Sequence, residues 1–425
     1  MLSTTPFWRD DFPRPDDLPV SDLPAEVDVA VIGAGVTGLN AAREMVRSGL
    51  SVAVLDSGEV GAGASTVNGG MLNYGLKAST AKVLERHGPT LGREFWDAAL
   101  ASIDYVEELV ATEDIECFFD RSGAAELGYQ TQNLEQFREE AEWMRTNLGF
   151  DTEVVPNEDI TSVVGSDEFH CALVDSAGAG LHPARYVYGL ARRVGDAGAS
   201  IVEHAEALNI AKHTSGYQIL TPKGKMTAGK VLLATNGYTE ARPVPELRRR
   251  VVPIGSYIVV TEPLPAETVE RLIPRNRMLW TSRRFLNYFR RTPDNRILLG
   301  GRNNLSTDLD LQESANILRA TTVGVFPELR DVEFTHTWSG KLGITFDLMP
   351  HIGQIEGMWY ALGYGGHGLG IGSYVGAEVG RLISDQIDRS PFAEISHPTR
   401  PYYRQKAWFL PAAAPWYRFL DRLGK

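Results

Sequence analysis

A short apolar run, Val27-Asp28-Val29-Ala30-Val31-Ile32, meets Gly33-Ala34-Gly35-Val36-Thr37-Gly38 without a gap, and that junction dictates a strand turning sharply into a helix. A helical pattern through Leu39, Ala42, Met45 and Val46 stops at Ser48-Gly49, and a second strand, Ser51 to Leu55, ends in Asp56. Each part has a physical role. Gly33 permits the tight turn, Gly35 lets a pyrophosphate approach the backbone, and Gly38 lets helix and strand pack closely. The helix N-terminus presents unpaired N–H groups and partial positive charge to phosphates, and Asp56 is spaced to accept hydrogen bonds from a ribose. Strand, glycines, helix, strand and acid in register point to a dinucleotide site; a lone glycine fingerprint would be an ordinary turn.

The next segment narrows the dinucleotide. Gly61 to Gly70 is a long loop of small residues, along which a backbone can run beside an extended cofactor. Ser65 and Thr66 can donate to a pyrophosphate or a ribityl chain there, and a nicotinamide site needs no such loop. Further on, Met358 to Leu362 reads as a strand, followed by Gly363-Tyr364-Gly365-Gly366-His367-Gly368 and a helix through Val375, Val379 and Ile383. A second nucleotide domain, as in NADH-using disulfide reductases, would need another strand ending in an acid, and no redox cysteine pair is present. This second helix start is therefore expected to serve the same nucleotide rather than a second one, offering its partial positive charge to a group of that cofactor.

These ordered motifs resemble the D-amino-acid-oxidase superfamily of FAD-dependent amine oxidoreductases, and within it the gamma-glutamylputrescine-oxidase-like branch, whose members carry a GASxxNGG-type loop. The resemblance covers nearly the whole chain. It extends to Gly180-Leu181-His182-Pro183-Ala184-Arg185 before a helix, with strands at Gly198 to Ile201 and Ala205 to Ile210. It continues through Val231 to Tyr238, Val252-Pro253 to Leu264, Tyr288-Phe289-Arg290, Trp338-Ser339-Gly340 and Asp347 to Gly353.

The fold it implies is α/β: a Rossmann-like FAD-binding domain (1–80, 178–245 and 336–390) interleaved with a mostly antiparallel-sheet substrate domain (81–177 and 246–335), and a tail over 391–425. The implied cofactor contacts begin with Gly33, Gly35, Val36, Thr37, Gly38, Asp56 and Ser57. They continue through the loop residues Gly63, Ala64, Ser65, Thr66, Asn68, Gly69, Gly70 and Met71. Ala207, Thr235, Asn236, Gly237 and Gly340 follow, with Gly366, His367, Gly368, Leu369 and Gly370 at the last helix. Some relatives attach FAD through His or Cys; Asn68 stands at the histidine position and Lys341 to Thr345 holds no Cys, so the FAD is expected to be non-covalent.

The substrate end departs from small N-methyl amino-acid oxidases. The Arg and Lys those relatives carry are replaced by Met71-Leu72-Asn73-Tyr74 and Gly370, leaving room for larger amines. The strand Arg296 to Leu299 lacks the lysine that assists oxygen activation in some relatives, so oxidase and dehydrogenase both stay open. His367 is placed beside the flavin as a catalytic candidate, against a bland helix-start histidine. Strand alternation puts Tyr288 and Arg290 on one face, Tyr288 shaping the pocket and Arg290 holding an acidic group, against a half-buried strand with a surface arginine. Tyr257 and Arg302 are further substrate-binding candidates, and Phe95, Trp96, Trp143, Trp280 and Phe285 are read mostly as core.

The expected reaction is oxidation of an amine or amino-acid C–N bond by hydride transfer to flavin N5, giving an imine and then a carbonyl product, with oxygen or another acceptor reoxidising the flavin. The rival is a FAD-dependent dehydrogenase of D-amino acids or hydroxy acids with a non-oxygen acceptor; a non-catalytic flavin sensor would show no turnover. No metal is called for.

Composition closes other classes. The 425 residues are 43% hydrophobic and 23% charged, as in globular proteins with a sizeable core. With 42 Lys+Arg against 54 Asp+Glu the formal charge is −12, which repels phosphate backbones and argues against a tRNA-modifying oxidase. Two cysteines, Cys117 and Cys171, make no disulfide framework, and neither a leader pattern nor a transmembrane run appears, so a soluble cytoplasmic protein is expected. Arg248-Arg249-Arg250 reads as a solvated face. The aromatic, basic tail, including Tyr402, Tyr403, Trp408, Trp416, Tyr417 and Phe419, is expected to pack on the protein's own body. Leu134 to Leu148 reads as an exposed helix with Phe137, Ala141 and Met144 inward.

Overall fold

The computed structural model describes residues 2–240, 242–283, 285–302, 305–403 and 407–410. The chain opens with a short helix, α1 (Phe7–Asp11), then enters a βαβ unit of β1 (Glu26–Ile32), α2 (Val36–Arg47) and β2 (Val52–Leu55). The small-residue loop ends in β3 (Met71–Leu72) and leads to the long α3 (Thr80–Thr112), kinked where Gly88 takes φ +81° ahead of Pro89. Next come β4 (Ala124–Gly128), α4 (Asn133–Leu148), β5 (Glu153–Pro156) and β6 (Cys171–Asp175). β7 (Ala179–Gly180) pairs with β3 and hands over to α5 (Pro183–Asp196) and β8 (Ser200–Val202). β9 (Asn209–His213), β10 (Gly216–Thr221) and β11 (Gly224–Leu233) form a meander, and α6 (Pro245–Arg248) precedes β12 (Val252–Thr261). After α7 (Ala266–Leu272) come β13 (Met278–Thr281), β14 (Asn287–Arg291) and β15 (Ile297–Gly301). The described fold closes with α8 (Leu311–Val325), β16 (Phe334–Ile344), β17 (His351–Ile355), β18 (Met358–Leu362) and α9 (Gly370–Ile383).

Two large sheets result. The first runs β17-β18-β11-β1-β2-β8, parallel from β18 to β8, with β10 and β9 attached to β11. Its central strands are apolar on both faces because helices cover one side and the meander and α6 the other. α2 and α9 lie side by side, and they touch because their facing positions are small: a Cβ on Gly376 would stand 2.5 Å from the Thr37 carbonyl oxygen, and one on Gly380 2.7 Å from that of Ala41.

The second sheet runs β16-β12-β15-β14-β13-β4-β6-β5 and is antiparallel except between β13 and β4. One face packs under α7 and α8 through Val259, Leu279, Phe289, Leu299 and Phe326; the other looks toward the first sheet.

Three sequence expectations are corrected. β16 starts at Phe334 and pairs with β12 along its length, so the boundary at 336 falls inside a strand of the second sheet. The strand expected over Ala205 to Ile210 is shifted: β8 ends at Val202, residues 203–208 are irregular with His204 at φ +52° turning the chain, and the next strand, β9, begins only at Asn209. The arginine run is not a solvated face, since Arg248 is buried, donates to the Val251 carbonyl (2.8 Å) and lies over the Tyr403 ring. Tyr403 itself is buried, whereas Trp416, Tyr417 and Phe419 lie outside the described residues. The helix over Leu134 to Leu148 is present as α4, with Phe137 and Met144 buried.

Candidate active site

A cavity of about 1290 Å³ opens between the two sheets, and its wall joins the glycine turn after β1 to the inward face of the second sheet. At the first end Gly33 takes φ +115°, the left-handed region glycine tolerates, and a Cβ there would stand 2.9 Å from the Ala234 carbonyl oxygen. Ser65 closes the turn from the side: its hydroxyl accepts from the Val36 N–H at 3.0 Å and fills the space a Gly35 Cβ would need, 2.6 Å away. The Asp56 carboxylate lines the cavity and accepts from the Ala34 and Gly58 N–H groups (2.8 and 3.0 Å). Burial raises its pKa, those two N–H groups pull it back down, and each oxygen keeps a lone pair for a hydroxyl. A bare-backbone turn, a helix start and a buried acid beside a long cleft fit the ADP half of FAD.

The expected cofactor residues divide. Gly33, Gly35, Val36, Thr37, Asp56, Ser57, Gly63, Ala64, Ser65, Asn68, Gly69 and Met71 line the cavity. So do Ala207, Thr235, Asn236, Gly340, Gly366, His367, Gly368 and Leu369. Five do not, and each has another role. Gly38 lets α2 pass over the Gly33 carbonyl. Thr66 is buried, donating to Gly61 O (2.8 Å) and accepting from Arg9 Nε (2.7 Å). Gly70 turns the loop at φ +70°, Gly237 lies against the Lys341–Gly343 backbone, and Gly370 lies against Ser102. Asn68 braces the loop by donating to Ala64 O and Ser65 O and accepting from Gly70 N.

The second sheet supplies the remaining wall. Glu126 faces Trp280 across the β4–β13 register, Trp280 faces Tyr288, and Tyr288 faces Gly300, so one stripe of side chains crosses the sheet. Tyr288 spans the bare Gly300, a Cβ on Gly69 would stand 2.7 Å from its ring, and its hydroxyl is 3.3 Å from Ser256 Oγ. Ser256, Ile258, Tyr288 and Arg302 line the cavity. Tyr257 does not: it is fully buried on the opposite face, donating to Ser306 O (2.9 Å) and accepting from Leu309 N (3.0 Å). One step along β12 reverses the face, and Ser256 takes the place expected of Tyr257.

Arg290 is also corrected. It shares Tyr288's face but is buried, with its guanidinium donating to the carbonyls of Gly70, Leu181 (3.0 Å) and Arg291 (2.9 Å). It is a strut under the flavin loop, and burial pulls its pKa down to about 10.

Arg302 reaches the cavity without a hydrogen bond or ion pair among the described residues, and so does Lys77, which the sequence reading passed over. Burial, then the neighbouring Arg302, lowers Lys77 to about 8. The two cations line the cavity from elements other than Met71–Tyr74 and Gly370. His367 is neutral at pH 7: burial, then Lys77 and Arg302, pushes it down to about 4, and its Nδ1 is buried without a partner. Glu126, also passed over, accepts from the Trp280 indole and is raised to about 7, first by burial and then by Glu140. A lone carboxylate in Ala124-Ala125-Glu126-Leu127 was its only sequence signal; Lys77 had none.

The helix start at the far turn is as bare as the first, with Gly363, Gly365 and Gly366 all at positive φ before α9. Among the described residues no group of three metal-ligating side chains assembles, and no helix is long and apolar enough to cross a membrane.

A family model described as FAD dependent oxidoreductase matches residues 28–382. The chain belongs to that family: it is a FAD-dependent oxidoreductase of the D-amino-acid-oxidase superfamily, with FAD as cofactor. It is 32% identical to a probable oxidoreductase, OrdL, of Rhizobium meliloti, over 95% of this chain and 94% of that protein. It is 29% identical to the gamma-glutamylputrescine oxidoreductase of Escherichia coli, over 93% of this chain and 93% of that protein. The fold superposes on a crystal structure of glycine oxidase from Geobacillus kaustophilus with a TM-score of 0.73 and 20% identity, covering 90% of this chain and 99% of that one.

Proposed function

We propose that this oxidoreductase oxidises a small-molecule amine or amino acid at the carbon next to nitrogen. The observation that carries the reading is the continuous cavity joining the glycine turn of β1 to an uncharged His367, Tyr288 and Arg302. The names of the relatives, an oxidoreductase of gamma-glutamylputrescine and a glycine oxidase, agree with it. Bound FAD would supply two-electron acceptance, so that loss of a hydride from the C–H bond would leave an imine, which water would hydrolyse to a carbonyl product with release of the amine nitrogen.

The chain's own residues do the positioning. Tyr288, held between Gly69 and the sheet, forms a flat wall against which the reacting carbon is aligned. The orphaned Nδ1 of His367 takes a hydrogen bond from the substrate N–H or the ring edge. Lys77 and Arg302, positive and close by, disfavour a third cation and so hold the reacting amine in its neutral form, with its lone pair free. The same two cations favour a second reading, a dehydrogenase of D-amino acids or hydroxy acids whose carboxylate Arg302 would anchor.

The test is the visible spectrum of the purified protein during anaerobic addition of amines, D-amino acids and hydroxy acids, then air. Bleaching by an amine with rapid return in air supports an amine oxidase; persistent bleaching indicates another electron acceptor. Bleaching by hydroxy acids alone overturns the amine reading.

A further inference from the structure

The wall of the cavity carries a group of side chains that amine oxidation at the flavin does not use. Glu126 projects from β4 beside Trp280 of β13, and its carboxylate accepts from the Trp280 indole N–H. Across from them α4 presents Gln136, Glu140 and Trp143, spaced four and three residues apart on one helix face, and all three line the same cavity. Glu140 forms no hydrogen bond and no ion pair among the described residues, although the protein crowds its carboxyl enough to raise its pKa. Tyr74 completes the group. Its ring is packed on Trp96 and Phe150 at 5.6 and 5.0 Å between centroids. Tyr74 lines the cavity and feels the charge of both glutamates, its hydroxyl forms no hydrogen bond among the described residues, and the adjacent Asn73 Oδ1 is a buried acceptor with no partner among them.

Two carboxyl groups, two indole faces, a phenol oxygen and an orphaned acceptor all favour a positively charged partner. Burial and then the neighbouring Glu140 raise Glu126, and a cation between the two acids relieves that repulsion. The indole faces of Trp143 and Trp280 attract the same charge. Lys77 lowers the pKa of Glu126 through space but hydrogen-bonds to neither carboxylate, so the acceptors stay available.

We propose that Glu126 and Glu140, with Trp143, Trp280 and Tyr74, form a cation subsite that holds a second, non-reacting ammonium of the substrate, so that the molecule oxidised is a chain with a cationic group at each end. The proposal rests on the amine-oxidation reading for the identity of the reacting end, but the subsite itself can be tested without turnover. Carboxylates and N–H acceptors fix the far ammonium, the chain crosses the Tyr288 wall, and the near amine reaches the flavin.

The FAD-loaded protein is titrated with hexyltrimethylammonium, whose single unreactive cation can occupy the subsite, and with 1-hexanol, an uncharged chain of the same length, following tryptophan fluorescence. The cation is expected to bind about tenfold more tightly or better. Glu140→Gln and the Glu126→Gln/Glu140→Gln pair are expected to remove most of that preference; Glu140 lies on the accessible side of α4, so the single variant stands if the pair fails to fold. In turnover, the preference for hexamethylenediamine over hexylamine in kcat/KM falls by the same factor. Equal binding of the cation and the alcohol, or a preference that survives both variants, overturns the subsite. A preference that the variants abolish, with no amine able to bleach the flavin, establishes the subsite and overturns the amine-oxidation reading instead.

Discussion

Arg290 and Arg302 show how two arginines of similar sequence setting come to different work. Arg290 holds three backbone carbonyls beneath the flavin loop, while Arg302 lines the cavity with no hydrogen bond or ion pair among the described residues. Arg290→Met leaves buried carbonyls unpaired and is expected to cost about 2–4 kcal/mol, with loss of bound FAD seen as a lower ratio of flavin to protein absorbance. Arg302→Met is expected to shift Tm by no more than about 2 °C while weakening carboxylate-bearing substrates or inhibitors about tenfold or more, read as KM or Ki. A reversed pattern, with Arg290→Met changing only KM, would show that the strut assignment is wrong. Gly38 tests the turn itself. A methyl there meets the Gly33 carbonyl with no flexible neighbour to yield, so Gly38→Ala is expected to lose FAD and at least about 2 kcal/mol of stability in a denaturant titration.

At the scale of elements, the site depends on two contacts that bring distant segments together. α2 and α9 are more than three hundred residues apart in sequence, yet each starts at a glycine-rich turn facing the cavity, and their close approach sets the distance between the two turns. Gly376→Val puts side-chain atoms against the Thr37 carbonyl and is expected to lower Tm by several degrees and to release FAD on gel filtration. Retained flavin at an unchanged Tm would mean that the helix pair does not set the cradle. The other contact is α1. Trp8 is fully buried and donates to Asn68 O at 2.8 Å, and Arg9 donates to Gly61 O at 2.8 Å, so the first helix pins the flavin loop from outside. Nothing in the local sequence of residues 7–11 announced that role, because it is defined only by what the helix lies against.

Across the whole molecule, buried neutral histidines and buried protonated acids pull the response to acid in opposite directions. His182 is fully buried, with Nε2 3.1 Å from Asp11 Oδ2 and Nδ1 accepting from Arg185 N; burial, then Arg185, pulls it down to about 3. His397 stacks on His351 with ring centroids 3.9 Å apart, and burial, then His351, pulls it down to about 3 as well. Both folded pKa values lie below the unfolded value of about 6.5, so the unfolded chain binds more protons in that interval. The histidine contribution is therefore full above about pH 6.5 and lost as pH falls toward 3, by up to about 1.4 kcal/mol per pH unit for each histidine. Glu126 and Asp175, each raised to about 7 chiefly by burial, act in the opposite sense and gain stability over the same fall. Denaturant titrations from pH 7 to 4 are therefore compared between the unaltered chain and His397→Gln, which is expected to lose less stability on acidification; parallel profiles would mean that His397 is not held neutral. The sequence by itself determined the βαβ unit, the flavin loop and the glycine turn before α9, because each rests on local backbone demands that glycine, small residues and an acid meet at fixed spacing. It also put Tyr288 and Arg290 on one face, since alternation is a local property of strands. What only the tertiary structure decided was which face of β12 looks inward, which arginine is consumed by carbonyls, and that Lys77, Glu126 and Glu140 enter the cavity at all. Those outcomes depend on sheet order and on contacts between segments far apart in the chain, and local pattern carries no information about either.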